Sequence, residues 1–252
     1  MIEKHFYLLI WIWIVIALAM FPLLLRITAP YGRHTRKDWG PMIPNRLGWI
    51  IMELPSLIMF ITLFLWGKNS MNAPLLVFFL LYTIHYTNRS IIFPFRTHTS
   101  KKLIPLLIPG LAIFFNLING FINGYYFGTI SGGYTLEWLY DIRFILGGIL
   151  FLTGMVINLK SDNMLLALRK STANGYSIPT GGLFNYVSCP NFFGEILEWT
   201  GFAIMTWSPA ALAFAIWTCV NLIPRALDHH QWYKEHFENY PVNRKAVIPY
   251  IL

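Results

Sequence analysis

Long apolar runs separated by short polar loops dominate the chain. A helix that crosses a bilayer needs about 20 mostly apolar residues, and residues 6–25 (FYLLIWIWIVIALAMFPLLL) supply the first. Six further runs follow at 49–66, 74–92, 103–121, 144–159, 196–206 and 209–223. The pattern predicts an all-α polytopic membrane protein with seven transmembrane helices in one integral membrane domain, 1–252. The sixth run is short and begins among polar residues. It predicts a partly interfacial helix whose lower half lines a cavity, because polar segments at membrane depth need protein or water around them. The first run lacks the short apolar core and small-residue cleavage site of a secretory signal, so it is expected to stay in the mature protein. Pro22 is placed to kink the first helix, and Pro41, Pro44, Pro105 and Pro109 stand near segment entries.

Composition agrees with the pattern. Charged residues make up 12% of the chain and apolar residues 56%, with a mean hydropathy of +0.53; a soluble domain carries roughly 25% charged residues. Thirty ionic side chains cannot cover a folded surface of this size in water, which excludes a soluble dinucleotide-binding enzyme, a disordered tail and a secreted disulfide scaffold. Cys189 and Cys219 are the only cysteines and provide no disulfide framework or zinc cluster. The net charge of +8 is explained by topology. Arg26, Arg33, Arg36, Lys37 and Arg46 fill the first loop, Arg96, Lys101 and Lys102 the third, Lys160, Arg169 and Lys170 the fifth, and Arg225, Lys234, Arg244 and Lys245 the tail. The intervening loops hold Lys68 alone, then Glu137 and Asp141 with no base. By the positive-inside rule this alternation predicts an N-terminus outside and a C-terminus in the cytoplasm. Trp39, Trp49, Trp66 and Trp138 fall near predicted interfaces, as belt residues do. No basic-aromatic repeat or nucleic-acid motif competes with the membrane reading, so no nucleic-acid partner is expected.

Ionisable groups within apolar runs are the candidates for chemistry, since each is expensive in hydrocarbon. Glu53 sits in WIIMELPSLIMF near the start of the second run; His85 and Tyr86 sit late in the third, in LLYTIHYTNRS. Opposite helix directions bring Glu53 and Tyr86 toward the same, cytoplasmic side. A pair across neighbouring helices is therefore expected, serving either as a structural hydrogen bond or as a reactive site. The C-terminal half carries three polar stripes. Asn158 and Asp162 are four apart, Asn191 and Glu195 repeat that spacing with Glu198 beyond, and Arg225, His229 and Tyr233 follow at i, i+4, i+8. The Gly-rich connector NGYSIPTGGLFNY joins them. Amides and carboxylates suit ribose and base, arginine suits phosphate, and glycines allow close backbone approach, so a polar cofactor held between helices is expected. No GxGxxG or Walker loop is present. His229 and His230 are adjacent and do not point together on a helix, so no metal site is expected.

As an ensemble, MELPSL, IHYTNRSIIFPF, TGMVINLKSDNMLLALR, GYSIPTGGLFNYVSCPNFFGEILEW and RALDHHQWYKEHFENYPVNRKAVIPYIL resemble the steroid 5α-reductase family, the membrane 3-oxo-5α-steroid 4-dehydrogenases. The resemblance runs from about Asn45 to Leu252 and is densest after Asp141. It implies seven helices with an external N-terminus, a substrate half over 1–122 and an NADPH-binding half over 143–252. The family's catalytic Glu and Tyr fall on Glu53 and Tyr86. Its NADPH contacts fall on Asn158, Asp162, Arg169, Tyr176, Asn191, Glu195, Arg225, His229 and Tyr233, with Arg89 a further cofactor candidate. Met52 stands where members often have Gln, which removes one polar contact from the substrate pocket. Ser177 stands where a basic residue is common, which bears on the preference for NADPH over NADH.

The resemblance implies reduction of the C4–C5 double bond of a 3-oxo-Δ4 steroid, of the testosterone or progesterone type, that enters from lipid. NADPH delivers hydride to C5 from the α face, Tyr86 donates to the 3-oxo oxygen and Glu53 orients that donor. A related reductase of another conjugated enone, a polyprenol-type lipid or an enoyl thioester, would share the cofactor half. A methyltransferase of the isoprenylcysteine type has no evident use for Glu53 with Tyr86. The expected surroundings are membrane lipids, in a bacterial inner membrane or an endoplasmic reticulum membrane according to host. The residues in question are compatible with a monomer.

Overall fold

The protein is described by a computed structural model over residues 2–97, 102–171 and 176–252. Lys101 and the connector residues Asn174 and Gly175 lie outside the described residues, as does the side chain of Lys170. Eight helices are found among the described residues: α1 Ile2–Leu24, α2 Asn45–Leu65, α3 Ala73–Thr87, the short α4 Phe93–Arg96, α5 Leu107–Tyr125, α6 Ile142–Ser171, α7 Pro190–Thr206 and α8 Pro209–His236. Six helical stretches are long and apolar enough to cross a membrane: Glu3–Leu24, Asn45–Leu65, Ala73–Arg96, Leu107–Ile130, Ile142–Arg169 and Pro209–His236. The protein is thus an all-α, multi-pass integral membrane protein. The short sixth run belongs to α7, which begins at Pro190, ahead of the apolar stretch that announced it.

Several helices outrun the hydropathy that marks them. Apolar residues end near 159, but α6 continues to Ser171, and α8 continues past 223 to His236. The backbone hydrogen-bond ladder does not stop where lipid stops, so polar residues extend a helix once its core is set. One span changes pitch. Ala73–Arg96 contains a π turn, Asn88–Ile92, which begins two residues after Tyr86, and Phe93 N–H reaches back to the Asn88 carbonyl. Pro94 explains it: proline lacks an N–H and its ring crowds the carbonyl four residues earlier, which a wider turn relieves.

The chain forms two compact units. The first comprises Met1–Ile10, Ala29–Ile145 and Ser208–Ala211. Here α2 and α5 meet backbone to backbone through glycines four apart. A Cβ on Gly120 would lie 2.7 Å from the Ser56 carbonyl oxygen, and one on Gly124 would lie 2.8 Å from that of Phe60. Small residues at this spacing let membrane helices approach closely. A two-stranded antiparallel ribbon, β1 Met42–Pro44 with β2 Leu103–Pro105, pairs Ile43 with Ile104. The strands lead into α2 and α5, so the ribbon holds the heads of those helices level.

The second unit comprises Trp11–Thr28, Leu146–Trp207 and Leu212–Leu252. α6 and α7 run antiparallel with glycines seven apart on each. A Cβ on Gly147 would lie 2.6 Å from the Gly201 carbonyl oxygen, and one on Gly154 would lie 2.4 Å from that of Gly194. Phe151, Trp199, Phe202 and Phe214 fill the core beside this seam. Trp13 of α1 meets Trp217 of α8 at a tilt, 4.7 Å between ring centres, and the Trp217 indole N–H donates to the Trp13 carbonyl. The C-terminal tail is strapped on: Ser188 and Cys189 N–H groups donate to the Lys245 and Ala246 carbonyls, and Val247 packs among Cys189, Ala226 and Ala246.

Candidate active site

In the first unit, two helical turns of α2 carry Glu53 to about 12 Å from the helix start at 1.5 Å per residue. Tyr86 occupies the last turn of α3, two residues before the π turn, and is 3% exposed. The structure brings both around Asn116 of α5. Asn116 Nδ2 donates to the Met52 carbonyl at 2.6 Å and lies 3.5 Å from Glu53 Oε2, and the Tyr86 hydroxyl lies 3.5 Å from Asn116 Oδ1. One turn on, Asn119 Nδ2 donates to the hydroxyls of Tyr86 at 3.0 Å and Tyr82 at 3.1 Å. Tyr82 shares a 2.8 Å hydrogen bond with Ser56 and stacks between Phe60 and Tyr86. The result is a buried polar cluster enclosed by rings. Arg89, inside the π turn, lies over the faces of Trp49 and Phe93 at 5.1 and 5.4 Å.

In the second unit, the stripes on α6 and α7 interlock. Asn158 Nδ2 donates to the Asn191 carbonyl at 3.0 Å and lies 3.5 Å from Glu195 Oε2, while Asn191 Nδ2 donates to Asp162 Oδ1 at 3.0 Å. On α8, Arg225 and Tyr233 are buried and His229 is half-buried, its ring stacked 5.6 Å from Phe192 of α7. Tyr233 lies parallel to Tyr240 of the tail at 5.3 Å. Tyr176 meets Trp232 edge-on at 5.2 Å, and Arg169 is half-buried near the end of α6. Ser188, ahead of α7, bonds both His230 Nδ1 at 2.6 Å and the Tyr240 hydroxyl at 2.5 Å. Burial pushes the Tyr240 phenol up from its ordinary value against the opposing hydrogen bonds from Ser188 and Arg244, so it stays protonated at neutral pH. The tail thereby braces the lead into α7.

A family model described as 3-oxo-5-alpha-steroid 4-dehydrogenase matches residues 102–252. The steroid 5-alpha-reductase DET2 of Arabidopsis thaliana is 44% identical over 231 residues, covering 89% of this chain and 88% of that protein. Its namesake in Solanum lycopersicum is 43% identical over 253 residues, covering 99% and 98%. The 3-oxo-5-alpha-steroid 4-dehydrogenase 1 of Homo sapiens is 40% identical over 225 residues, covering 88% and 85%. The chain belongs to the steroid 5-alpha-reductase family.

Membership carries the catalytic class: this 5-alpha-reductase family member is an NADPH-dependent reductase of the membrane. Its motifs fall where the two clusters are. MELPSL lies in α2, IHYTNRSIIFPF spans the end of α3 through the π turn into α4, and the remaining motifs lie on α6, the connector, α7, α8 and the tail. The α6–α8 donor set suits a dinucleotide: carboxylates and amides for ribose hydroxyls, a buried guanidinium for phosphate, and a His–Phe stack for a ring.

Sequence reasoning passed over Asn116, Asn119 and Asn123. Their signal is present in FFNLINGFINGYY, three amides at i, i+3 and i+7 on one face of an otherwise apolar helix. All three are buried. It also passed over the glycine seams, whose four- and seven-residue spacings are equally visible in the sequence.

Proposed function

We propose that this reductase saturates the C4–C5 double bond of 3-oxo-Δ4 steroids to give 5α-3-oxosteroids. The observation that carries the reading is the Tyr86 hydroxyl buried beside Glu53 in a polar cluster otherwise walled by rings. A flat apolar substrate with one ketone needs a greasy cavity and a single hydrogen-bond donor at the oxygen. Tyr86 holds a proton at its phenol oxygen and donates it to the 3-oxo oxygen as charge develops there; ketonisation of the resulting enol places a proton on C4 and returns one to the phenolate. A preorganised donor in a water-poor site is a leading source of rate acceleration. Glu53, reached through Asn116, orients the donor and helps polarise the carbonyl. The aromatic walls exclude water and bury the rings, at about 25 cal/mol per Å² of apolar surface removed from water.

NADPH, when bound, supplies the hydride. In this reading Asn158, Asp162, Asn191 and Glu195 hold its ribose and base, and Arg225 and Arg169 meet its phosphates. Tyr176, His229 and Tyr233 provide ring and hydroxyl contacts. Residues 1–122 form mainly the substrate half and 143–252 mainly the cofactor half. α7 completes a set of seven spans, with the N-terminus outside and the C-terminus cytoplasmic. The loop charges support that orientation.

The test is incubation of membranes containing the protein with NADPH and a panel of Δ4-3-ketosteroids, polyprenol-type enones and enoyl thioesters. Nicotinamide oxidation and product stereochemistry are followed. A 5α product is expected. Oxidation with another enone and with no ketosteroid would overturn the substrate assignment.

A further inference from the structure

The tail of the second unit ends in a hook with two unlike sides. Val247 and Ile248 N–H groups donate to the Leu252 carbonyl at 2.7 and 2.8 Å, and Leu252 N–H returns to the Ile248 carbonyl at 3.0 Å. The inner side joins the buried core of Cys189, Ala226 and Ala246: Val247 is part of that core, and Ile248 and Leu252 pack against it. The outer side presents Tyr250 and Ile251, 78% and 76% exposed. Closing the hook puts Tyr250 at a φ of +66°, a left-handed conformation that glycine or asparagine would adopt with less strain. Tyr186, itself 45% exposed, comes from the approach to α7, and its ring lies 5.5 Å from that of Tyr250. Single exposed apolar side chains are ordinary. Here two segments supply neighbouring ones, and a strained tyrosine is among them.

The height of this edge is set by what the hook packs on. The same core touches Ile196 and Ile223, which begin the apolar run of α7 and end that of α8. Ala226 lies three residues past Ile223, about 4.5 Å along the axis at 1.5 Å per residue. The helix continues to His236, and the chain then turns back until the Lys245 and Ala246 carbonyls meet Ser188 and Cys189. The hook thus returns to the level at which two helices leave hydrocarbon, whereas Glu235 stands about 13 Å beyond Ala226. Tyrosines collect at such a level, where one end of the ring is apolar and the other wet. Lys245, whose N–H donates to the Tyr186 carbonyl at 2.8 Å, is exposed beside them and suits lipid phosphate. A dry protein contact would be depleted of lysine. We propose that Tyr186, Tyr250 and Ile251, with Lys245, are seated in the headgroup layer of the bilayer that holds α7 and α8. The strap that braces the head of α7 is then itself held by lipid.

The experiment places a bimane label at Ile251→Cys, Tyr186→Cys or Glu235→Cys, each in a Cys219→Ser background with the buried Cys189 left in place. The full chain is reconstituted in nanodiscs of phosphatidylcholine and phosphatidylglycerol. Quenching is measured with aqueous iodide and with a phospholipid spin-labelled near the head of its acyl chain; a cooperative thermal transition certifies each labelled protein as folded. Labels at positions 251 and 186 should be quenched by the lipid nitroxide and should lose most of the iodide quenching shown by the label at 235. Iodide quenching as strong at 251 and 186 as at 235 would put the edge in water and overturn the proposal. Protection from both quenchers would mean that protein covers the edge, a second copy or another segment, and overturns it equally. The two positions lie on separate segments, so either label decides the question where the other impairs folding.

Discussion

Two glycines on α6, six positions apart, should respond oppositely to alanine. A Cβ at Gly154 would stand 2.4 Å from both the Glu198 nitrogen and the Gly194 carbonyl oxygen, whereas one at Gly148 meets only Met205 Sδ, at 3.7 Å. Relieving the first contact to an ordinary 3.4 Å separation means parting α6 from α7 by about 1 Å. That movement takes the Asn158–Asn191 hydrogen bond, now 3.0 Å, out of range. Overpacking contributes about 1–3 kcal/mol of destabilisation, and the stranded buried amide adds about 1–3 kcal/mol. The sum, about 2–6 kcal/mol, is a large share of the roughly 5–15 kcal/mol by which proteins are stable. Gly148→Ala meets no such contact and gains helix propensity, up to about 1 kcal/mol. Thermal unfolding of the detergent-solubilised protein, followed by tryptophan fluorescence, should place Gly154→Ala at least about 4 °C below wild type and Gly148→Ala at or above it. NADPH titration should weaken in Gly154→Ala, because Asn158 and Asn191 move apart. Equal melting of the two variants would refute the account of the α6–α7 seam.

Other outcomes follow from the same geometry. Tyr86→Phe should retain NADPH affinity in a binding titration and lose roughly 10²–10³ in kcat, the effect of deleting one donor to a developing oxyanion. Arg225→Ala and Asn191→Ala should show the reverse emphasis, a weakened NADPH affinity measured by the same titration; unchanged affinity in both would displace the cofactor cluster from α6–α8. At the exposed end of α6, the Arg143 guanidinium and backbone N–H hold the Asp141 carboxyl down to about 2 from an ordinary 3.8. A depressed carboxylate stabilises above its unfolded pKa and loses that contribution as pH falls through the folded value. The small melting difference between wild type and Asp141→Asn should therefore be constant above about pH 5 and shrink from pH 4 toward pH 2.

Much of the fold was legible because lipid imposes a simple code. Six of the apolar runs coincide with helices long enough to span, and the polar intruders Glu53 and Tyr86 stood out against them. The stripes on α6 and α7 were legible because a four-residue spacing survives any packing arrangement, and Asn158, Asp162, Asn191 and Glu195 do interlock. Helix ends were not legible beyond the membrane: α6 and α8 carry polar residues for turns past their apolar stretches, and hydropathy is silent there. The ladder Asn116–Asn119–Asn123 was overlooked for a different reason. Uncharged amides barely lower the mean hydropathy of a helix, although each must be satisfied once buried. The β1–β2 ribbon escaped because three-residue strands have no usable periodicity, and the tail strap escaped because its partners lie some 57 residues apart, as in Ser188 with Lys245.

The contact of Trp13 with Trp217 joins residues 204 positions apart. During synthesis the first helix enters the membrane long before α8 exists, so Trp11–Thr28 must wait in lipid as a lone segment. It tolerates the wait because α1 satisfies its own backbone and Leu8, Trp11, Ile12 and Val15 are already suited to hydrocarbon. Assembly of the second unit is then a lateral event among inserted helices rather than a collapse from water, driven by packing and by the indole hydrogen bond. Its completion is set by the last helix to arrive, which makes α8 the timekeeper of maturation as well as the bearer of Arg225, His229 and Tyr233.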